Sequence, residues 1–210
     1  MEKKSNVVSK RLRKQLDELE RSKRYDEAAQ LLEPIARRGN ADAQYEMGEL
    51  LYHKKVHEAE AAVRNFSKIE KAIFWLDLLR KPELCKADFS DFNKMINWYE
   101  KAAKQKHIKA MVELAEWYTP IRCGSSAKHV IKQSSFFTLK CNFNHALSLY
   151  IEALEIGGDD SFFDVCVIEN LLHSPHVPQK VKDKVVDILQ ARVKKGCCHA
   201  ADHLFRIWES

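Results

Sequence analysis

Apolar residues recur along this chain with the spacing of one face of an α-helix. Four segments, which begin at Tyr25, Phe92, Phe143 and Lys182, align with one another without gaps. Apolar residues fall at positions i, i+3, i+4 and i+7 of a first helix in the first three segments, and the fourth departs only at i+7, where it has Arg192. In all four a second helix follows after a short turn. This pattern predicts an all-α protein, built as a short irregular α-solenoid of helix-turn-helix repeats.

Four aligned columns define the repeat. Two apolar columns of the first helix contain Ala28, Met95, Ala146 and Val185, and Leu32, Tyr99, Tyr150 and Leu189. The turn falls at Gly39, Lys106, Gly157 and Gly196, and three glycines there favour a left-handed residue just past the helix end. A column of small residues in the second helix begins with Ala43, Ala110, Ser161 and Ala200, which allows the helices to approach closely.

The repeats do not account for the whole chain. Residues 1–20 are predicted to form a basic helix or extension ahead of a repeat domain that spans residues 21–210. Insertions near residues 53–68 and 119–142 separate the copies, and both are predicted to be loops. A partial extra copy at Glu70–Leu79 carries Trp75 in the position of Trp98.

Composition narrows the possible classes of protein. Only six glycines and five prolines occur in 210 residues, which argues against an all-β fold with many tight turns. Neither an apolar stretch of about 18 residues nor a secretory signal is evident. We therefore expect a cytoplasmic protein that does not insert into a membrane.

The net charge of +5 comes largely from residues 1–24. Such a run is able to touch RNA or an acidic membrane surface. Asp17, Glu18 and Glu20 are interleaved with the basic residues, which favours the alternative of a solvated helix face and disfavours nucleic acid as the partner.

No motif for catalysis or for a cofactor stands out. The six cysteines lack the paired spacing of a zinc site, and Cys197, Cys198 and His199 are adjacent, so their side chains point in different directions. The chain has no glycine-rich phosphate loop and no nucleophile elbow. We expect no enzyme activity, no metal, no cofactor and no small-molecule substrate.

Two copies carry a family resemblance. The segment Ile96–Tyr118, INWYEKAAKQKHIKAMVELAEWY, and the segment Leu31–Tyr52, LLEPIARRGNADAQYEMGELLY, resemble the Sel-one-like repeat family, which is related to the tetratricopeptide repeat. The resemblance implies a right-handed α-solenoid that serves as a protein-binding scaffold. Members include bacterial immunity proteins, secretion-linked proteins and eukaryotic quality-control components. The family's Gly-x-Gly loop after the second helix is replaced here by insertions, so we expect an irregular solenoid.

The second helices carry an acidic stripe at variable positions. One aligned column holds Glu46, Glu113, Asp164 and His203, and another holds Glu49, Glu116, Val167 and Arg206. This stripe either complements a basic partner or simply consists of exposed helix positions, where glutamate is common. Tyr52, Trp75, Trp98 and Tyr118 are predicted to be core, whereas Trp117 fits either the core or a binding anchor.

These observations lead to one expectation about function. We expect a module that binds a single protein partner through Glu46, Glu49, Glu113, Glu116, Trp117 and Asp164. Its sharpest form is a bacterial, cytoplasmic immunity or inhibitor protein that neutralises a basic toxin, such as a nuclease. The alternative is a regulatory or secretion-linked scaffold or adaptor.

Overall fold

The computed structural model describes residues 9–63, 90–118, 142–157, 171–172 and 177–209. Within these ranges the chain is all-helical, as the periodicity predicts, and contains no strand. The helices that these ranges contain are α1 (Lys10–Arg21), α2 (Tyr25–Arg37), α3 (Ala41–Val63), α4 (Ser90–Lys104), α5 (Ile108–Tyr118), α6 (Phe143–Ile156), α7 (Gln179–Lys194) and α8 (Cys198–Glu209).

The helices pack in the order of the sequence. α2 packs on α3, α3 on α4, α4 on α5, α5 on α6, and α7 on both α6 and α8. Such neighbour-by-neighbour packing is the arrangement of a helical solenoid. Among the residues described, no helix combines the length and the apolar character needed to cross a bilayer.

The tight turns between paired helices share one geometry. Gly39 and Gly196 have φ angles of 91° and 90°, and Lys106 has a φ of 63°. In each case the next residue donates its N–H to the carbonyl five positions back, as in a Schellman motif. Gly157 departs from the prediction because its backbone is extended, with φ −60° and ψ 140°.

The same turn joins α1 to α2. Lys23 has a φ of 60°, and Arg24 donates its N–H to the carbonyl of Leu19 at 2.8 Å. Residues 1–20 are predicted to form a helix; α1 covers Lys10–Arg21, and residues 1–8 lie outside the described residues. The turn geometry adds that α1 and α2 form a helical hairpin like those of the repeats.

The repeat columns form the core. All eight members of the two apolar columns of the first helices are at most 2% exposed. In the small-residue column Ala43, Ala110 and Ala200 are buried as well, and Ser161 lies outside the described residues. The hydrophobic period therefore identifies the side chains that hold neighbouring helices together.

Two hydrophobic clusters result from this packing. One joins α1, α2 and α3 and ends at Trp98 of α4, and the other extends from α3 to α8. Tyr52 and Trp98 are core residues as predicted, Tyr118 is only partly buried, and Trp75 lies outside the described residues.

The predicted loop near residues 53–68 is wrong in its first part. Residues 53–63 continue α3 as a single helix of 23 residues. The segment is rich in alanine, lysine and glutamate and has neither glycine nor proline, so nothing in it terminates a helix. Residues 64–68 and the predicted loop at 119–141 lie outside the described residues, and Asn142 caps the start of α6.

Candidate partner-binding face

The acidic stripe begins on two helices whose first turns are capped by side chains. At the start of α3, the Oδ1 atom of Asn40 accepts a hydrogen bond from the Ala43 N–H at 2.8 Å. At the start of α5, the Nδ1 atom of His107 accepts one from the Ala110 N–H at 3.2 Å. The two helices therefore begin at equivalent positions of the repeat.

Glu49 is held in place by a tyrosine hydroxyl. Its Oε1 atom accepts a hydrogen bond from the hydroxyl of Tyr99 on α4 at 2.6 Å, and its side chain is 22% exposed. The Nε2 atom of His53 lies 3.6 Å from the other carboxylate oxygen. The ring of Tyr45 lies beside that of Tyr99, with centroids 6.0 Å apart. Glu49 therefore helps to fix α4 on α3 as well as adding negative charge.

The pKa values of Tyr45 and Tyr99 indicate that the carboxylate of Glu113 acts in the same region as that of Glu49. Burial is the main cause that raises the pKa of both Tyr45 and Tyr99, and the carboxylates of Glu49 and Glu113 raise it further. Negative charge from α3 and from α5 therefore acts on the same two hydroxyls. Both hydroxyls stay neutral at physiological pH and remain able to donate hydrogen bonds.

Glu46 connects this group to α1. Its Oε1 atom lies 3.6 Å from the Nη2 atom of Arg13. Burial raises the pKa of Glu46, and Glu20 and Glu49 add to the rise, whereas Arg13 and Lys109 oppose it. The nearby cations therefore do not compensate fully for burial and for repulsion between carboxylates.

Glu20 is a member of the group that the repeat pattern does not reveal. Burial is the largest cause that raises its pKa; His53 opposes the rise, and Asp17 and Glu49 add to it. Glu20 lies one turn after the buried Leu16, on the inward side of α1, and this spacing is the signal in the sequence. We call Glu20, Glu46, Glu49 and Glu113 the acidic face.

The remaining predicted residues have different positions. Glu116 is half-buried one turn beyond Glu113, and Asp164 lies outside the described residues. His203, which shares a repeat column with Glu46, is buried. The column of Glu46 therefore ends in a buried residue on α8.

Trp117 is a core residue and not an exposed anchor. Only 6% of it is exposed, and its ring packs edge-on against Tyr52 at 6.1 Å and against Phe92 at 4.9 Å. The prediction that Trp117 contacts a partner is therefore corrected. It joins α5 to the end of the hydrophobic core beside α3 and α4.

The charge of the acidic face suits a positively charged group. Partly desolvated carboxylates that repel one another create a negative potential, which an added cation relieves. Within the described ranges, no group of histidine, cysteine, aspartate and glutamate has the arrangement of a metal site. The basic residues of α1, such as Lys10, Arg11 and Lys14, are exposed to solvent, and Arg13 is exposed as well although it lies near Glu46.

Comparison of the chain with protein-family models, with curated proteins and with solved structures finds no match. The fold class therefore rests on the helices themselves, and the resemblance to Sel-one-like repeats remains an inference from the sequence.

Proposed function

We propose that this chain is a protein-binding module that grips one basic partner through its acidic face. The observation that supports the proposal is the convergence of Glu20, Glu46, Glu49 and Glu113 from α1, α3 and α5 onto one region. Helical solenoids commonly bind through residues that neighbouring repeats contribute to one surface.

The charges favour a cationic partner over an anionic one. The pKa of Glu20 and that of Glu46 are both raised, because burial and neighbouring carboxylates disfavour their charged forms. A lysine or arginine side chain placed there would offset this penalty by favouring the charged carboxylates. In its sharpest form, the proposal is a bacterial immunity or inhibitor protein that neutralises a basic toxin, without catalytic activity of its own.

The test begins with the partner. Tagged protein is used to capture binding proteins from its native cells under non-denaturing conditions, and mass spectrometry identifies them. We expect one stoichiometric basic protein, whose affinity is then measured with purified components at two salt concentrations. Because long-range charge steers association, binding should weaken as salt rises.

Two matched triple variants place the site. The first, Glu20→Gln, Glu46→Gln and Glu113→Gln, neutralises the acidic face but leaves Glu49, which holds Tyr99, intact. The control, Glu33→Gln, Glu58→Gln and Glu155→Gln, removes the same charge from α2, the distal part of α3 and α6. We expect the first to weaken binding by about tenfold or more, and the control by less than about threefold.

Other results would contradict the proposal. Equal loss of affinity in the two variants would mean that only net charge matters. Recovery of RNA alone, removed by nuclease, would shift the function to nucleic-acid binding by α1. Several weak partners in place of a tight one would support the alternative, a regulatory or secretion-linked scaffold.

A further inference from the structure

His107 caps the first turn of α5 through a ring nitrogen. Its Nδ1 atom accepts a hydrogen bond from the backbone N–H of Ala110 at 3.2 Å. A ring nitrogen that accepts a hydrogen bond carries no proton, so the proton of the neutral ring is on Nε2. That atom lies 3.3 Å from Oδ1 of Asp42 on α3, in position to donate to it.

The ring of His107 lies in a half-buried position between α3 and α5. It stacks on Tyr45 with centroids 4.8 Å apart, and its side chain is 15% exposed. Among the described residues, the titratable and charged groups that face it are Asp42 and Tyr45 from α3 and Lys109 from α5 itself. Burial lowers the pKa of His107 from 6.5 and Lys109 lowers it further, whereas Asp42 and a backbone hydrogen bond of His107 oppose the fall without reversing it.

In the first repeat, the equivalent helix start is capped by a residue that does not titrate. Asn40 occupies the position that aligns with His107, and its Oδ1 atom accepts a hydrogen bond from the Ala43 N–H at 2.8 Å. An asparagine keeps its acceptor at every pH, whereas an imidazole loses its acceptor on protonation. The two turns otherwise share the left-handed residue just before the cap, Gly39 in one and Lys106 in the other.

We propose that His107 is a pH-sensitive switch, which caps α5 when neutral and releases the first turn of that helix when a proton from solvent binds Nδ1. Protonation places an N–H donor opposite the Ala110 N–H donor, so the cap is lost while the contact with Asp42 remains. α5 carries Glu113, and Tyr45 packs on His107 from α3, so the switch lies at the edge of the acidic face. The proposal does not depend on what that face binds.

The direction of the pH dependence follows from the neutral cap. The folded chain prefers neutral His107 more strongly than the unfolded chain does, so its folded-state pKa is below 6.5. The contribution of the cap is therefore complete above pH 6.5 and is lost as the pH falls through the folded-state value.

The experiment uses NMR on the full chain. Ring ¹⁵N shifts at about pH 7.5 report which nitrogen of His107 carries the proton. Hydrogen exchange of the Ala110 amide, corrected for its intrinsic rate, is then followed down to about pH 5. We expect the proton on Nε2, and opening at Ala110 that increases about fivefold as His107 titrates, the factor that corresponds to a lost helix cap of typical strength.

Two variants control for general acid destabilisation. His107→Asn copies Asn40 and should keep the Ala110 amide protected over the whole range. Asp42→Asn removes the carboxylate that favours the charged ring, so the midpoint of the wild-type transition should move to lower pH. A proton on Nδ1 in the wild-type chain, or the full pH dependence in His107→Asn, would overturn the proposal.

Discussion

Replacement of Gly48 by alanine tests how closely α3 and α4 approach. A Cβ atom at Gly48 would lie 2.4 Å from Cε1 and 2.7 Å from Cδ1 of Tyr99. Carbon atoms prefer separations of about 3.5–4.0 Å, so the ring or the helix has to move. Tyr99 is 1% exposed and its hydroxyl is bonded to Glu49, which leaves the ring little freedom to move aside.

The expected change in the free energy of unfolding combines one stabilising contribution and two destabilising ones. Alanine favours the helix over glycine by about 1 kcal/mol. Overpacking of a core costs about 1–3 kcal/mol. A displaced Tyr99 also weakens its hydrogen bond to the charged Glu49, a type of bond worth about 1.5–3 kcal/mol. We expect Gly48→Ala to lower the free energy of unfolding by about 2 kcal/mol, which corresponds to about 4–8 °C in Tm for a chain of this length.

A double-mutant cycle isolates the contact. Urea unfolding followed by circular dichroism is measured for the wild type, Gly48→Ala, Tyr99→Leu and the double variant. Leucine removes the ring atoms in question, so in that background Gly48→Ala should be neutral or stabilising by up to about 1 kcal/mol. If Gly48→Ala stabilises the wild-type chain instead, helix propensity dominates and the close approach is refuted.

Four further substitutions test other parts of the fold. Arg192→Met should destabilise by about 2 kcal/mol in urea unfolding, because Nη2 of Arg192 donates to two carbonyls at the end of α6, and an unchanged midpoint would contradict that role. Lys23→Gly should raise stability by about 0.5–1 kcal/mol in thermal melts, because its φ of 60° suits glycine, and a loss of stability would contradict the left-handed turn. Phe205→Ser should change stability by less than about 0.5 kcal/mol, because Phe205 is 56% exposed, whereas Leu204→Ala should cost about 2–4 kcal/mol; equal effects would contradict the orientation of α8.

The hydrophobic period predicts the fold class and the core because both depend on local spacing. Apolar residues on one helical face have to be covered, and a following helix is the nearest available cover. The period does not reveal which members of a column are covered. Leu31 aligns with the buried Trp98 and Leu149, yet it is 45% exposed, because coverage at this position depends on the neighbouring elements and not on the residue itself.

The turns show a second limit of the sequence pattern. Glycine at Gly39 and Gly196 predicts the left-handed conformation correctly, since glycine has no Cβ to clash. The same residue type at Gly157 is extended, whereas Lys23 and Lys106 are left-handed without being glycine. Near Gly157, Nη2 of Arg192 donates hydrogen bonds to the carbonyls of Leu154 and Gly157. These residues are far apart in sequence, so the local pattern does not reveal the contact.

The acidic face was predictable only where the repeats contribute to it. Glu46 and Glu113 occupy equivalent helix positions, and Glu49 lies one turn after Glu46 in a second acidic column, so alignment of the copies places all three on one helix face. Glu20 belongs to α1, which lies outside the aligned segments, and its proximity to Glu49 is a tertiary effect. Tyr99 is a core residue by its column, and only the packing shows that its hydroxyl also reaches Glu49.

The two roles of Glu49 determine which substitutions can separate binding from folding. Loss of the Glu49 carboxylate would leave the Tyr99 hydroxyl, in a side chain only 1% exposed, without its acceptor, at a cost of about 1–3 kcal/mol. If such a variant bound the partner more weakly, the cause could be either the lost negative charge or the disturbed packing of Tyr99. Glu20 and Glu46 have pKa values raised mainly by burial, so their neutralisation removes charge that the fold disfavours. Glutamine at these two positions should leave stability unchanged or raise it, and any loss of partner affinity would then report on the binding surface itself.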